Sequence, residues 1–356
     1  MRTKKKITAV LFCFLLAAFV VCDAKESVNP TASTAPSPYP VMDSGVWADR
    51  SSNVYWIDNQ HILFKGSEEK EKAKHYTGKF NISIWEPGKG VQVYAKDVVS
   101  VLCLNSDSIV YYGLLAKSPQ GIEQYRYGKF GSEQTFTKPA GVKKFYWDQM
   151  NCKLTELTKV LEQRKGRAIF PLLDRHGYLD KGAIRGKESL KETPAIFYRP
   201  GHNEGITLPI RIAGLVNYYA FKDAYFITRG LGLYQDFDKP GTAWWLAPDG
   251  TVTDLVVPRN PLNKYHVEPF PTKIGIFAVS YSSKSLKDSG LAGGYFLRDG
   301  KWSKVLDGDI QGLAVSPDGC KVAFSHAPYL DADLPDDPQK RTLKLIDFCK
   351  EEKNHG

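Results

Sequence analysis

Gly312-Leu-Ala-Val-Ser-Pro-Asp-Gly-Cys-Lys-Val-Ala-Phe-Ser-His326 reads as an apolar strand, a Pro/Asp/Gly turn and a second apolar strand. The layout recurs with different residues. Val54-Tyr-Trp-Ile-Asp-Asn-Gln-His-Ile-Leu-Phe-Lys-Gly66 has it, as do Val101-Leu-Cys-Leu-Asn-Ser-Asp-Ser-Ile-Val-Tyr-Tyr-Gly113 and Val216-Asn-Tyr-Tyr-Ala-Phe-Lys-Asp-Ala-Tyr-Phe-Ile-Thr-Arg-Gly230. Val267-Glu-Pro-Phe-Pro-Thr-Lys-Ile-Gly-Ile-Phe-Ala-Val-Ser280 is a looser copy. With Ile57, Leu102, Trp147, Asn217, Val267 and Leu313 as equivalent points, the spacings are 45, 45, 70, 50 and 46 residues. A unit of this size cannot bury its apolar faces alone, so it must stack on its neighbours.

Second hairpins lie between the first ones. Asn81 to Ala95 turns at Pro87-Gly88, Glu123 to Thr137 near Lys129-Gly131, Trp244 to Val257 at Asp249-Gly250, and Gly294 to Leu306 at Asp299-Gly300. Asp-Gly suits two-residue hairpins because both central positions want positive φ. Two hairpins per unit give four antiparallel strands, and the period in the forties makes the expected fold an all-β single β-propeller. Six units are the first reading, with residues 41–350 forming the propeller and 351–356 a polar tail. The long third interval is read as an insertion in blade three over about 150–200, with a helix candidate at Leu154 to Gln163. The competing reading is a seventh blade within Arg167 to Ile210. After Leu343 to Phe348 the last unit lacks an outer strand, and Val41 to Asp49 is free to supply it. That terminal-strand closure would remove an exposed sheet edge.

Leu313-Ala-Val-Ser-Pro-Asp-Gly-Cys-Lys-Val-Ala-Phe324 resembles the repeat of TolB-type periplasmic propellers, WD-like folds in which a Ser-Pro-Asp-Gly turn precedes an apolar strand. The Gly-His and Trp-Asp marks of WD repeats are absent. The resemblance implies fold and carries over no functional residue. Members of that family are mostly protein-binding platforms, or substrate-gating domains attached to peptidases.

The N-terminus reads as an export signal over residues 1–24: Met1-Arg-Thr-Lys-Lys-Lys6, an apolar run from Ile7 to Val21, and a cleavage site ending at Ala24. The run of 15 residues is short beside the roughly 20 that a spanning helix needs. Phe19-Val-Val-Cys22 resembles a bacterial lipoprotein box with Val21 where Gly, Ala or Ser is usual, so Cys22 is a lipidation candidate. Lys25 to Pro40 is a Ser/Thr/Pro-rich spacer. The expected location is the periplasm or outside the cell, tethered to the envelope if Cys22 carries lipid. Membrane contact is then confined to that anchor or an uncleaved signal, and the expected state is a monomer.

Loss of residues 1–24 lowers the net charge from +9 to about +6, with no block of five like charges. Nucleic-acid binding calls for a concentrated basic face and is not expected. A weak attraction to anionic surfaces or acidic glycans is what the charge supports.

Cys103, Cys152, Cys320 and Cys349 form an even set for an oxidising compartment. Cys320 opens the second strand of the last unit and Cys349 closes the third, so antiparallel pairing brings them within disulfide reach. Cys103 with Cys152 is the second candidate bridge. Trp244-Trp245, with Tyr234 and Phe237, suggests an aromatic platform or inter-blade packing, and packing is preferred; Tyr218, Tyr219, Tyr225 and Phe226 read as packing too. His61, His75, His176, His202, His266, His326 and His355 show no metal spacing, so no metal or other cofactor is expected and they read as scattered surface or loop residues. Asp148, Asp223 and Asp236 could converge on a channel, though loop capping is the simpler role. Asp331 to Pro338 lacks EF-hand spacing. No catalytic residue is assigned and the ligand-binding residues stay unknown. The expected function is a non-enzymatic platform for a protein or envelope partner, engaged on the face carrying the blade-three insertion. The alternative is a small-molecule or carbohydrate-acting enzyme of hydrolase or lactonase type, with its site in the central channel.

Overall fold

The computed structural model describes residues 39–48, 54–67, 80–98, 100–105, 108–115, 124–129, 134–137, 145–148, 153–156, 167–172, 176–183, 194–202, 204–212, 214–230, 237–258, 267–280, 292–327 and 341–350. Apart from one short 3-10 turn at Ala220–Lys222, their regular structure is β. The first strands are β1 (Val41–Ala48), β2 (Tyr55–Trp56), β3 (Ile62–Ser67), β4 (Phe80–Glu86) and β5 (Gly90–Val98). Next come β6 (Ser100–Asn105), β7 (Ser108–Leu115), β8 (Gln124–Lys129) and β9 (Gln134–Thr137), a four-stranded antiparallel sheet. A two-stranded hairpin follows, β10 (Phe145–Asp148) with β11 (Lys153–Glu156).

Three further four-stranded antiparallel sheets occupy the middle of the chain. They are β12 (Arg167–Pro171), β13 (Tyr178–Ala183), β14 (Ile196–Tyr198) and β15 (Ile206–Thr207); β16 (Val216–Tyr219), β17 (Ala224–Thr228), β18 (Ala243–Leu246) and β19 (Val252–Asp254); and β20 (Val267–Pro271), β21 (Ile276–Ser280), β22 (Gly293–Arg298) and β23 (Lys301–Asp307). The last strands are β24 (Asp309–Val315), β25 (Lys321–Ala327) and β26 (Thr342–Asp347).

Residues 167–207, where the sequence offered an insertion in blade three or a seventh blade, form a four-stranded sheet. Strands of three and two residues, β14 and β15, are too short to show alternation in sequence. Of the helix candidate, Leu154 to Glu156 lie in β11, and 157–163 fall outside the described residues.

Strand β1 joins the two ends of the chain. It pairs with β26 over Val41↔Ile346 to Trp47↔Thr342, then with β3 at Trp47↔Ser67 and Ala48↔Gly66. An eight-stranded sheet results, in which β24-β25-β26-β1 and β2-β3-β4-β5 are the two halves. Tyr39, just before β1, is buried edge-on against Phe296 and Phe348. Aromatic edge-to-face contacts of this kind add to the area they bury.

The core lies between consecutive sheets and between the two halves of the eight-stranded one. Leu179, Phe197 and Leu208 of one sheet pack on Tyr225, Ile227 and Trp244 of the next. Phe226 and Trp245 meet Ile276 and Leu297. Phe277 and Phe296 meet Phe324 and Ile346, and Ala323 and Leu345 meet Ile62 and Phe64. A sheet covered on both faces buries every residue of its inner strands, which is why β17 and β21 are apolar without alternation.

Turn chemistry follows residue type. Asp299 and Gly300 both have positive φ (51° and 74°) in a two-residue hairpin. At Asp249-Gly250 only Gly250 does (φ 94°). There Gly250 N–H donates to Ala247 O, and Ala247 N–H to Thr251 O, which makes a longer turn. The difference is Pro248, whose fixed φ suits an ordinary turn start.

Candidate functional site

First hairpin turns from both halves of the eight-stranded sheet and from two further sheets meet. Asp318 N–H donates to Asn59 Oδ1 (2.9 Å), and Lys321 Nζ donates to Asn59 O (2.7 Å). Lys273 N–H donates to Gly319 O (2.9 Å). Gly319 has φ 74°, and a Cβ there would stand 2.7 Å from the Phe221 ring, so glycine is required for the close approach. Turns from three sheets, including both halves of the eight-stranded one, are thereby brought together, with Asp58, Asn59, Gln60, Lys222 and Lys273 exposed.

Carboxylates stiffen these turns. Asp318 Oδ1 accepts Cys320 N–H (3.0 Å) and the Ser316 hydroxyl (2.6 Å). Asp58 Oδ1 accepts Gln60 N–H and His61 N–H. Partial burial would raise the Asp58 carboxyl, but these bonds and the His61 ring outweigh it and hold it below the ordinary value. Asp249 is likewise lowered, chiefly by Thr251 N–H.

Beside this end, His176 is only 2% exposed. Its Nδ1 lies 2.8 Å from Tyr225 Oη, and its Nε2 lies 3.7 Å from Asp223 Oδ1. Tyr218 Oη–H donates to the same Asp223 oxygen (2.6 Å). Asp223 occupies the left-handed region (φ 46°), which aspartate tolerates better than most residues. The group bridges two sheets, with the imidazole in hydrogen-bond distance of the Tyr225 phenol but not of the Asp223 carboxylate. Tyr178 and Tyr198 stack nearby in sequence, centroids 4.5 Å apart, with Tyr178 exposed. Partial desolvation, then the Tyr198 and Asp180 charges, raise the Tyr178 phenol.

At the opposite strand ends of the same two sheets lies a cleft of about 420 Å³. Pro209, Ile210, Arg211, Arg229, Gly241, Trp244, Val252 and Asp254 line it. Arg211, Arg229 and Asp254 are exposed at the rim, whereas Ile210 and Trp244 are buried in the floor. Gly241 N–H donates to Asp254 Oδ1 (3.1 Å) and fixes that carboxylate.

Of the residues singled out in sequence, Cys320 and Cys349 are joined by a disulfide with Cα atoms 5.2 Å apart. Cys103 lies on β6, while Cys152 and Cys22 fall outside the described residues, as do Asp236, Tyr234 and Asp331 to Pro338. Asp148 ends β10. Trp244, Trp245 and Phe237 are buried packing. His61 faces Asp58 and Glu86, and His202 is exposed. His176, at the turn before β13, and His326, on β25, are both buried; sheet stacking brings His176 to Tyr225, and His326 reaches Asp307 O from its strand. His75, His266 and His355 lie outside the described residues. Among the described residues no group of three His, Cys, Asp or Glu could hold a metal. Missed in sequence were Arg341, Asp309, Arg211 and Arg229. Isolated charged residues carry no periodic signal, and Arg341 meets Asp309 only through the pairing of β24, β25 and β26.

No family model matches the sequence, and no curated protein is similar to it. Solved structures similar to the chain are β-propellers and related proteins. The β-propeller domain of the trilobed protease from Pyrococcus furiosus is 9% identical over 83% of this chain and 95% of its own, with a TM-score of 0.47. A putative gluconolactonase is 10% identical over 88% and 93% (TM-score 0.36). The β-propeller domain of Cps50 from Myceliophteria thermophila is 10% identical over 86% and 99% (TM-score 0.38). Likenesses this distant assign no activity.

Proposed function

We propose that the chain is an exported β-propeller of seven units that serves as a non-enzymatic binding platform for a protein or envelope partner. Seven is preferred to six because 167–207 forms a sheet of its own, and β1 with β26 is taken as the ring closure. Cys22 is the proposed lipid anchor and residues 25–40 the spacer.

The observation that carries this reading is the hydrogen-bonded tie between first hairpin turns: Asn59 with Asp318 and Lys321 across the halves of the eight-stranded sheet, and Lys273 with Gly319 between sheets. A face whose loops are held in one arrangement binds with little ordering cost. The carboxylates of these turns are engaged in capping, which is the use a scaffold makes of them.

The enzyme reading finds its best support in His176, Asp223 and Tyr218. An imidazole 2% exposed is poorly placed to meet substrate, so this group is assigned to bracing two sheets.

Photo-crosslinking in cells that export the intact chain tests the proposal. Crosslinkers at Gln60 and Lys273 sample the tied turns, and one at Thr253 samples the opposite strand ends. A discrete crosslinked protein from one end is expected. No product from either end, with lactone or glycoside turnover by the purified chain, overturns it.

A further inference from the structure

The Cys320–Cys349 disulfide stands inside the set of tied turns. Asp318 N–H donates to Asn59 Oδ1, and Gly319 O accepts Lys273 N–H. Cys320 is bonded to Cys349, and Lys321 Nζ donates to Asn59 O. Each residue from Asp318 to Lys321 thus links this turn to another turn or, through the bridge, to the end of β26. The Asp318 carboxylate also accepts Cys320 N–H, so the bridge and the tie to Asn59 share one residue.

The two half-cystines differ in setting. Cys320 is half-buried, whereas Cys349 is exposed. A reductant therefore reaches the bridge at Cys349 without parting the strands, and exposed disulfides are the labile ones. The strands have other reasons to stay together. β25 and β26 pair from Lys321↔Asp347 to His326↔Thr342. Phe348, beside Cys349, is fully buried and stacked on Phe296 with centroids 4.0 Å apart.

We infer that this bridge is a redox switch for the tied turns, opened by a dithiol while the chain stays folded. One thiolate of the dithiol attacks Cys349 Sγ, and the S–S bond breaks with its electron pair leaving on Cys320 Sγ, which takes up a proton. The second thiolate of the reductant then attacks the mixed disulfide. Cys349 leaves as a thiolate and is protonated, and the reductant is oxidised to its own disulfide. With the bridge gone, the Phe348 N–H bond to Cys320 O (2.9 Å) is what holds Cys320 to β26. The turn then opens more readily, and its bonds to Asn59 and Lys273 are exchanged for bonds to water. The consequence for a partner rests on the binding-platform reading: the reduced chain presents a looser face and holds its partner less well.

Dithiothreitol added to the intact, folded chain tests the switch. Alkylation should label Cys320 and Cys349 with the near-ultraviolet circular dichroism unchanged. Short-time hydrogen exchange should speed up at least tenfold at the Lys273 and Asp318 amides and less than twofold across Ala224–Thr228. The unreduced chain with Cys320→Ser and Cys349→Ser should exchange like the reduced one, which separates this bridge from any between Cys103 and Cys152. Cys349→Ser alone keeps the test if the double variant misfolds. No labelling of the folded chain, unchanged exchange at Lys273 and Asp318, or acceleration spread evenly over all strands overturns the switch. In cells, the double variant should lose at least tenfold in crosslinks from Gln60 and Lys273. Accelerated exchange with undiminished crosslinks overturns the control of partner binding. Accelerated exchange with no crosslink even from the oxidised chain removes the platform reading and leaves the switch standing.

Discussion

Asp309 and Arg341 place an ion pair in the interior, at 1% and 4% exposure. Arg341 Nη2 donates to the Asp309 carboxylate, and Nη1 reaches Asp309 O and Ser325 O at 3.3 Å each. The guanidinium, just before β26, thus links β24 to β25. Desolvation offsets much of the attraction in such a pair, but removing one partner strands the other. Arg341→Met should therefore cost about 3–5 kcal/mol, and Arg341→Met with Asp309→Leu should cost less, as urea midpoints would show. His326 lies close by, with Nε2–H donating to Asp307 O (2.7 Å). Burial, aided by Lys344 and Arg341, outweighs that bond and lowers its basicity below the ordinary 6.5. The unfolded chain then binds the proton more readily, so stability present above pH 6.5 is lost as pH falls toward the lowered value. Between pH 7 and pH 5 wild type should lose more stability than His326→Gln. Equal slopes in urea titrations at each pH would contradict this. Nothing in the sequence around His326 announces these neighbours, because Asp307, Arg341 and Lys344 reach it only through strand pairing.

Among elements, the Ser316-Pro317-Asp318-Gly319 turn was readable residue by residue. Ser316 Oγ and Asp318 Oδ1 satisfy local N–H groups, Gly319 supplies the positive φ, and Cys320 follows in strand register with Cys349. The disulfide spans 29 residues of chain, for which loop entropy gives about 3.5 kcal/mol of stabilisation. Cys320→Ser with Cys349→Ser should lower the unfolding free energy by about that amount, and the difference should vanish when wild type is measured in reductant. The β14 and β15 strands were not readable, since two or three residues display no period. Tertiary packing makes them strands: Phe197 and Ile206 are held against the neighbouring sheet.

For the whole molecule, β1 is the element on which both termini depend. It covers β26 along Val41 to Trp47 and passes to β3. Thr342 Oγ1–H donates to Asp43 Oδ2 (3.0 Å), and Lys344 Nζ lies 3.6 Å from it. A chain beginning at Trp47 would leave β26 as an uncovered edge, which invites pairing with another copy. That truncation should raise the apparent mass in light scattering and lower the thermal midpoint; a monomer of wild-type stability would refute the dependence. The recurring hairpins, the Asp-Gly and Ser-Pro-Asp-Gly turns, the free N-terminal strand and the Cys320–Cys349 pairing were all determined by sequence, because each depends on local backbone preference or strand register. Tertiary structure alone decided that residues 167–207 form a sheet, that His176 meets Asp223 and Tyr225, and that Arg211, Arg229 and Asp254 share a cleft. Those contacts join residues on different sheets, and the stacking of sheets brings together side chains that no local period relates.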